Sequence, residues 1–363
     1  MKTPVTDLHC DTALEIQAGA DLAQGHPEGH VDLERLEKGG VALQVFVAYV
    51  TSTLPKGRAF REAMELLDGV EAACERSAGA LVKVETVGEA DLALQRGAKT
   101  AAILAVENGH AIEESLANLE RLRLRGVRYM TLTHAKNLPW AASSGEERCD
   151  FEGLTAFGEK VVAAMNELGI VVDVSHVHET TLRDVARLTR RPFIASHSDA
   201  SAICPCARNL TDDQIRVIAE HGGLVGINFY PGFLDAAYAE RQNAELGDLF
   251  VALQKIEKEH LHDPVRKLEG SRRLSSELRG RMAKAAVPLD RIVDHVEYIA
   301  RLVGDDFVAF GSDFDGVPDL PQGVPDCAAF PAILDRMRER GFREASIAKI
   351  AGGNFRRVLE ANP

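Results

Sequence analysis

"GIVVDVSHV", residues 169–177, is entered from a glycine, is apolar and β-branched through Val174 except at Asp173, and closes on Ser175-His176-Val177. A run this short with no polar face must be covered on both sides, which is the pattern of a parallel strand buried between helices. Seven further runs repeat it: "PVTDLHC" (4–10), "VALQVFVAYV" (41–50), "TAAILAVENG" (100–109), "VRYMTLTHA" (127–135), "PFIASHS" (192–198), "GLVGINFY" (223–230) and "DFVAFGSDFDG" (306–316). Helical patterns lie between them. "RAFREAMELLDGVEAACERS" and "GLTAFGEKVVAAMNELG" carry apolar residues at 3–4 spacing, and "TDDQIRVIAEHGG" opens on a Thr cap and closes on glycine. "PLDRIVDHVEYIARLVG" opens on Pro and Asp. Eight successive β-α units predict an α/β chain folded as a (β/α)8 TIM barrel. No G-x-G-x-x-G follows the first run, which argues against a doubly wound nucleotide-binding sheet. Residues 236–286 break the rhythm. They are helical in composition and heavily charged, too long for a crossover, and read as a helical hairpin inserted between strands 7 and 8 at the strand-end face. Residues 1–363 therefore read as a single barrel domain with that insertion at 236–286.

Composition narrows the function. With 42 Lys+Arg against 55 Asp+Glu the net charge is −13, so nucleic acid and anionic membranes are poor partners. No apolar run approaches the ~20 residues of a membrane span. The first strand begins near Pro4, which leaves no room for a signal peptide and makes the cytoplasm the expected location. Six cysteines (Cys10, Cys74, Cys149, Cys204, Cys206, Cys327) fit reduced thiols, and the "CPC" at 204–206 lacks the second pair that a metal site would want.

Chemistry-bearing residues gather at the ends of the runs. "DLHCDT" (7–12) spaces Asp7, His9 and Asp11 by two, so an extended strand would place them on one face with Leu8 and Cys10 packed behind. Glu107 ends the third run, His134 the fourth, His176 the fifth, His197 the sixth, Tyr230 the seventh and Asp313 the eighth. A closed barrel converges its strand ends, and so many buried ionisable groups would be costly without a cation. One ion is expected on His9 and Asp11, another on His176 and His197, with Glu107 bridging. No lysine ends a strand in a position to bridge instead. Paired ions about 3.5–4 Å apart would share a hydroxide near neutral pH.

At this point the sequence resembles the membrane/renal dipeptidase family, zinc dipeptidases (peptidase family M19) of the amidohydrolase superfamily. The matching stretches are "DLHCDT", "AVENGH", "YMTLTHAKNLPWA", "GLTAFGEKVVAAMNELGIVVDVSHV", "ASHSDASAICPCARNLTDDQI", "GINFYPGF" and "GSDFDGVP", in family order from 7 to about 318, with "GGNFRRVLE" near the end. The resemblance implies two Zn2+ per chain: His9, Asp11 and Glu107 on the first, Glu107, His176 and His197 on the second. It implies that His134 meets the scissile carbonyl region, Arg208 receives the substrate carboxylate and Asp313 handles the proton; Tyr230 is grouped with His134 and Arg208 in substrate binding. The implied reaction is hydrolysis of dipeptides with a free C-terminal carboxylate by the bridging hydroxide. Leu8 and Cys10 depart from the family's D-G-H-N-D opening, and "ENGH" from its E-G-G-H. The insertion is longer than the family's, and the absence of a leader points to a cytoplasmic bacterial relative. A homodimer is compatible with the sequence. The alternatives are another amidohydrolase-type hydrolase (lactonase, phosphotriesterase or deaminase) or a non-catalytic metal-binding barrel, the latter disfavoured by a spare carboxylate at Asp313.

Overall fold

The structure, a computed structural model, describes residues 3–146, 149–261 and 263–363. Nine parallel strands are present among them: β1 (Val5–Cys10), β2 (Val41–Tyr49), β3 (Leu81–Lys83), β4 (Thr100–Glu107), β5 (Val127–Thr131), β6 (Val171–Asp173), β7 (Ile194–Ala195), β8 (Leu224–Ile227) and β9 (Val308–Phe310). Eight of them close a ring in the order β1-β2-β4-β5-β6-β7-β8-β9, with β9 returning to β1. This is the expected (β/α)8 barrel. The ninth, β3, pairs with Thr100–Ala102 of β4, below the stretch Leu104–Glu107 that pairs with β5, and stays outside the ring.

Alternation along the strands divides the apolar residues into two layers. Leu8, Leu43, Val45, Val47, Ala101, Ile103, Ala105, Tyr129, Val171, Ile194, Leu224 and Ala309 fill the barrel interior. Phe46, Leu104, Val106, Met130, Val172, Val225 and Phe310 face the helices. Both faces of the sheet are covered, which is why the strands read as continuous apolar runs. The barrel is tight enough to need glycine: a Cβ on Gly311 would come within 1.8 Å of the Ser196 carbonyl oxygen. The Thr211 cap is present, its side chain accepting from Gln214 N as part of a capping box.

Within the segment between β8 and β9, residues 236–286 form three α-helices where a hairpin was expected: Ala236–Glu245, Gly247–Glu259 and Pro264–Met282. The helices are separated at Leu246, whose backbone (φ −121°, ψ 12°) is not helical, and again before Asp263. Asp263 accepts from Arg266 N and so caps the third. That third helix lies across the strand-end face. Its Arg272 pairs with Glu15, on the helix that follows β1, and its Lys267 ammonium stands 5.9 Å from the ring centre of Tyr49, the last residue of β2.

Candidate metal centre

The strand ends bring the predicted ligands together. His176 Nε2 and His197 Nε2 lie 2.9 Å apart, and they stand 3.0 and 3.3 Å from one oxygen, Oε1, of Glu107. The second Glu107 oxygen, Oε2, is 3.7 Å from His9 Nε2, which is in turn 3.8 Å from Asp11 Oδ2 and 4.0 Å from Asp313 Oδ1. Glu107 thus divides its two oxygens between two groups of donors. Asp7 does not join them. Its carboxylate accepts from Ser312 N (2.9 Å), Ser312 Oγ (2.7 Å) and Gln44 Nε2 (3.0 Å). The expected alternation of Asp7, His9 and Asp11 fails because the β1–β2 register shifts between Asp7 and Cys10. The same shift separates Leu8, in the barrel interior, from Cys10, in the helix-facing layer.

Local backbone supports the placement. His176 (φ 67°) and Asp313 (φ 64°) both adopt the left-handed region that costs a side-chain-bearing residue energy. Each leaves its strand abruptly and turns its side chain into the cluster. Gly316 follows closely, where a Cβ would lie 2.1 Å from Asp11 Oδ2 and 2.4 Å from Asp313 Oδ1.

Two imidazoles have their tautomers set by hydroxyls. Tyr129 Oη donates to Leu8 O (2.8 Å), so it accepts from His9 Nδ1–H (2.9 Å). Ser196 Oγ donates to Asp173 Oδ2 (2.6 Å), so it accepts from His197 Nδ1–H (2.7 Å). Both rings then present a bare Nε2 lone pair to the cluster. His9 Nε2 and Asp11 Oδ1 are buried without a hydrogen-bond partner. Lone pairs packed this closely repel unless a cation lies among them. Ligand atoms about 3.3 Å apart are what tetrahedral zinc with bonds of about 2.0–2.1 Å requires. The residues therefore fit a divalent metal.

Electrostatics agree. Burial alone would lower the His9 pKa, but Glu107, then Asp11 and Asp313, push it up to about 10. The carboxylates thus demand a positive charge that a metal would supply. Burial, with repulsion from Glu107 and Asp313, raises Asp11 well above the usual carboxylate range. Glu107 goes the other way: burial opposes its charge, but His134, His176, His197 and His9 hold it well below its ordinary value. Burial, with Arg208 and His134 nearby, lowers His176, and burial with His9 lowers His197, so both stay neutral.

The remaining predicted residues surround this cluster. His134 packs 4.3 Å, centre to centre, from the His176 ring, and it comes close enough to Glu107 and His176 to share a metal with them. Asp313 Oδ2 accepts from Asn228 Nδ2 (2.9 Å). Arg208 donates from Nη2 to His197 O (3.0 Å), while its Nε is buried without a partner. Tyr230 is not brought into the cluster. Its hydroxyl donates to Gln242 on the inserted helix Ala236–Glu245, and its ring packs edge-on against Phe233 and Tyr238. No cysteine joins a metal-capable group among the described residues, and all six cysteines are free thiols. Tyr49, Tyr129, Asp173, Ser196 and Asn228 escape sequence reasoning. Of these only Ser196, beside His197 in "ASHS", stood next to a ligand in the chain.

With this geometry in view, the sequence pattern of the membrane dipeptidase family (peptidase family M19) matches residues 1–362. The chain belongs to this family. Dipeptidase 3 of Mus musculus is 29% identical over 335 residues, covering 91% of this chain and 57% of the relative. Human dipeptidase 3 is 28% identical, with 91% and 58% covered. The chain thus spans somewhat over half the length of these relatives. Among solved structures, a Rhodobacter sphaeroides metallo peptidase, liganded with a phosphinate mimic of the dipeptide L-Ala-D-Ala, superposes with a TM-score of 0.80 at 26% identity, covering 100% of each chain. Dipeptidase AC, a metallo peptidase, superposes at 0.79 with 28% identity and 99% of each chain covered. The same barrel is thereby common to all three chains. No helix among the described residues is long and apolar enough to cross a membrane.

Proposed function

We propose that this chain, read as one hydrolase domain over 1–363, is a two-zinc dipeptidase that cleaves dipeptides bearing a free C-terminal carboxylate. The observation that carries this reading is the Glu107 carboxylate, with one oxygen within 3.3 Å of the Nε2 atoms of His176 and His197 and the other facing His9. His9, Asp11 and Glu107 would hold one ion, and Glu107, His176 and His197 the other. Ions bound there supply Lewis acidity at the scissile carbonyl and an acidified water as nucleophile. His134 stands beside the ligands, where an imidazole can donate to the oxyanion as it develops. Asp313, held by Asn228, is the free carboxylate that takes the proton from the nucleophile and returns it to the leaving amine. Arg208, with an unused buried Nε–H, offers a planar fork to the terminal carboxylate. Family membership and the neighbour bound to a dipeptide mimic support this choice over other amidohydrolase chemistries.

The test is a panel of free dipeptides, their C-terminal amides, a lactone and a phosphotriester, each given to metal-loaded protein. Cleavage confined to the free dipeptides is expected. Faster turnover of the lactone or the phosphotriester would move the chain to another hydrolase class.

A further inference from the structure

We infer that the inserted helix Pro264–Met282 completes the substrate site, and that its Lys267 selects dipeptides whose N-terminal residue carries an acidic side chain. The inference rests on the dipeptidase reading above, and on a geometric fact about the ring of strands. Arg208 follows β7 and Tyr49 ends β2, and four steps of the eight-strand ring separate them in either direction. The two residues therefore face one another across the barrel mouth, with the metal cluster between them. A dipeptide with its carboxylate on Arg208 and its scissile bond at the cluster must send its N-terminal residue toward β2.

What waits there is a short row of rings in contact, the Tyr49 ring edge-on to His134, that ends in a cation. The His134 ring lies 4.3 Å from that of His176, the Tyr49 ring 4.6 Å from that of His134, and the Lys267 ammonium 5.9 Å from the centre of Tyr49. Tyr49 Oη also lies 3.4 Å from His134 Nδ1, so the row is tied to the reacting end. Lys267 is half-buried, and no carboxylate lies within ion-pair distance of it among the described residues. Its neighbours on the same helix are occupied otherwise: Arg266 pairs with Asp263, and Arg272 with Glu15 and Glu28. The Arg272 pairs fix the helix to the barrel, and the Lys267 charge is left available on its flexible stem. The substrate's own α-ammonium must also lie on this side. An uncharged N-terminal side chain would therefore leave two cations facing each other, whereas a glutamate or aspartate side chain would lie between them and satisfy both.

The test compares L-Glu-L-Ala and L-Asp-L-Ala with L-Gln-L-Ala and L-Ala-L-Ala on the full-length, metal-loaded protein and on K267M and K267E. The wild type should favour the acidic member of each pair in kcat/KM by about tenfold or more, the scale of one charged hydrogen bond. K267M should lose that preference through KM, binding the acidic dipeptides more weakly and L-Ala-L-Ala, now relieved of the facing cation, at least as well as the wild type; unchanged metal content and circular dichroism show that it folds. K267E should turn the preference toward L-Lys-L-Ala. Phosphinate mimics with acidic and neutral N-terminal side chains should give the same ratio in their inhibition constants, which reads binding without turnover. If dipeptides are cleaved and the acidic-to-neutral ratio is the same in K267M as in the wild type, the inference is overturned and the dipeptidase reading stands. If no dipeptide is cleaved, both fall.

Discussion

Ser196 shows how much of this site depends on atoms one step behind the ligands. Its single hydroxyl proton goes to Asp173, so His197 must donate to it and keep Nε2 bare. Ser196→Ala should therefore weaken metal binding by about 10- to 100-fold, measured by competition with a chelator, with the circular dichroism spectrum unchanged. Unaltered affinity would mean that the hydroxyl does not set the tautomer. His134 lies close enough to Glu107 and His176 to ligate, yet His134→Ala should retain the metal and lose about 10²–10³ in kcat with a smaller change in KM, the pattern of a lost oxyanion donor. Loss of metal would make it a ligand. Arg208→Met should cost about 2–4 kcal/mol in kcat/KM for free dipeptides and leave amidated ones nearly unaffected. Equal losses on both would confine Arg208 to supporting its loop through the bond to His197 O. At this scale the convergence of the proposed ligands was legible, because each is a His or carboxylate at the end of an apolar run. Tyr129 was not, since its partner His9 is 120 residues away and a buried tyrosine in a strand looks like any other core residue.

Among the elements, legibility followed length. β2 and β4 run for nine and eight residues and were plain in the sequence. β3 has only three, too few for periodicity to register, and β7 only two, the rest of its run having already left the sheet to present Ser196 and His197. Alternation misplaced Asp7 because a register shift inside β1 leaves no mark in the amino-acid pattern. The turn after β9 carries a second test. Gly316→Ala would put a methyl group 2.1 Å from Asp11 Oδ2, so the carboxylate must move. The variant should fold but lose metal from the His9–Asp11 side, leaving about one ion per chain by the two-metal logic. Two retained ions would show that the Asp11 carboxylate can shift without releasing its ion.

For the whole molecule, closure of the ring is the feature that matters most. The proposed ligands from β1, β4 and the turns after β6 and β7 meet only because β9 returns to β1. The same closure set Tyr49 opposite Arg208, which no reading along the chain could reveal, because it depends on β3 standing outside the ring. Metal binds the folded chain alone, so its removal should lower the melting temperature by several degrees, and re-addition should restore it. The proposed bridge at Glu107 is tested most directly by counting ions. Protein purified without chelator should carry about two divalent ions per chain by elemental analysis, and Glu107→Gln, which keeps the shape but removes the charge, should carry fewer than about one and lose activity. A wild-type stoichiometry near one with full activity, or two ions retained by Glu107→Gln, would contradict it.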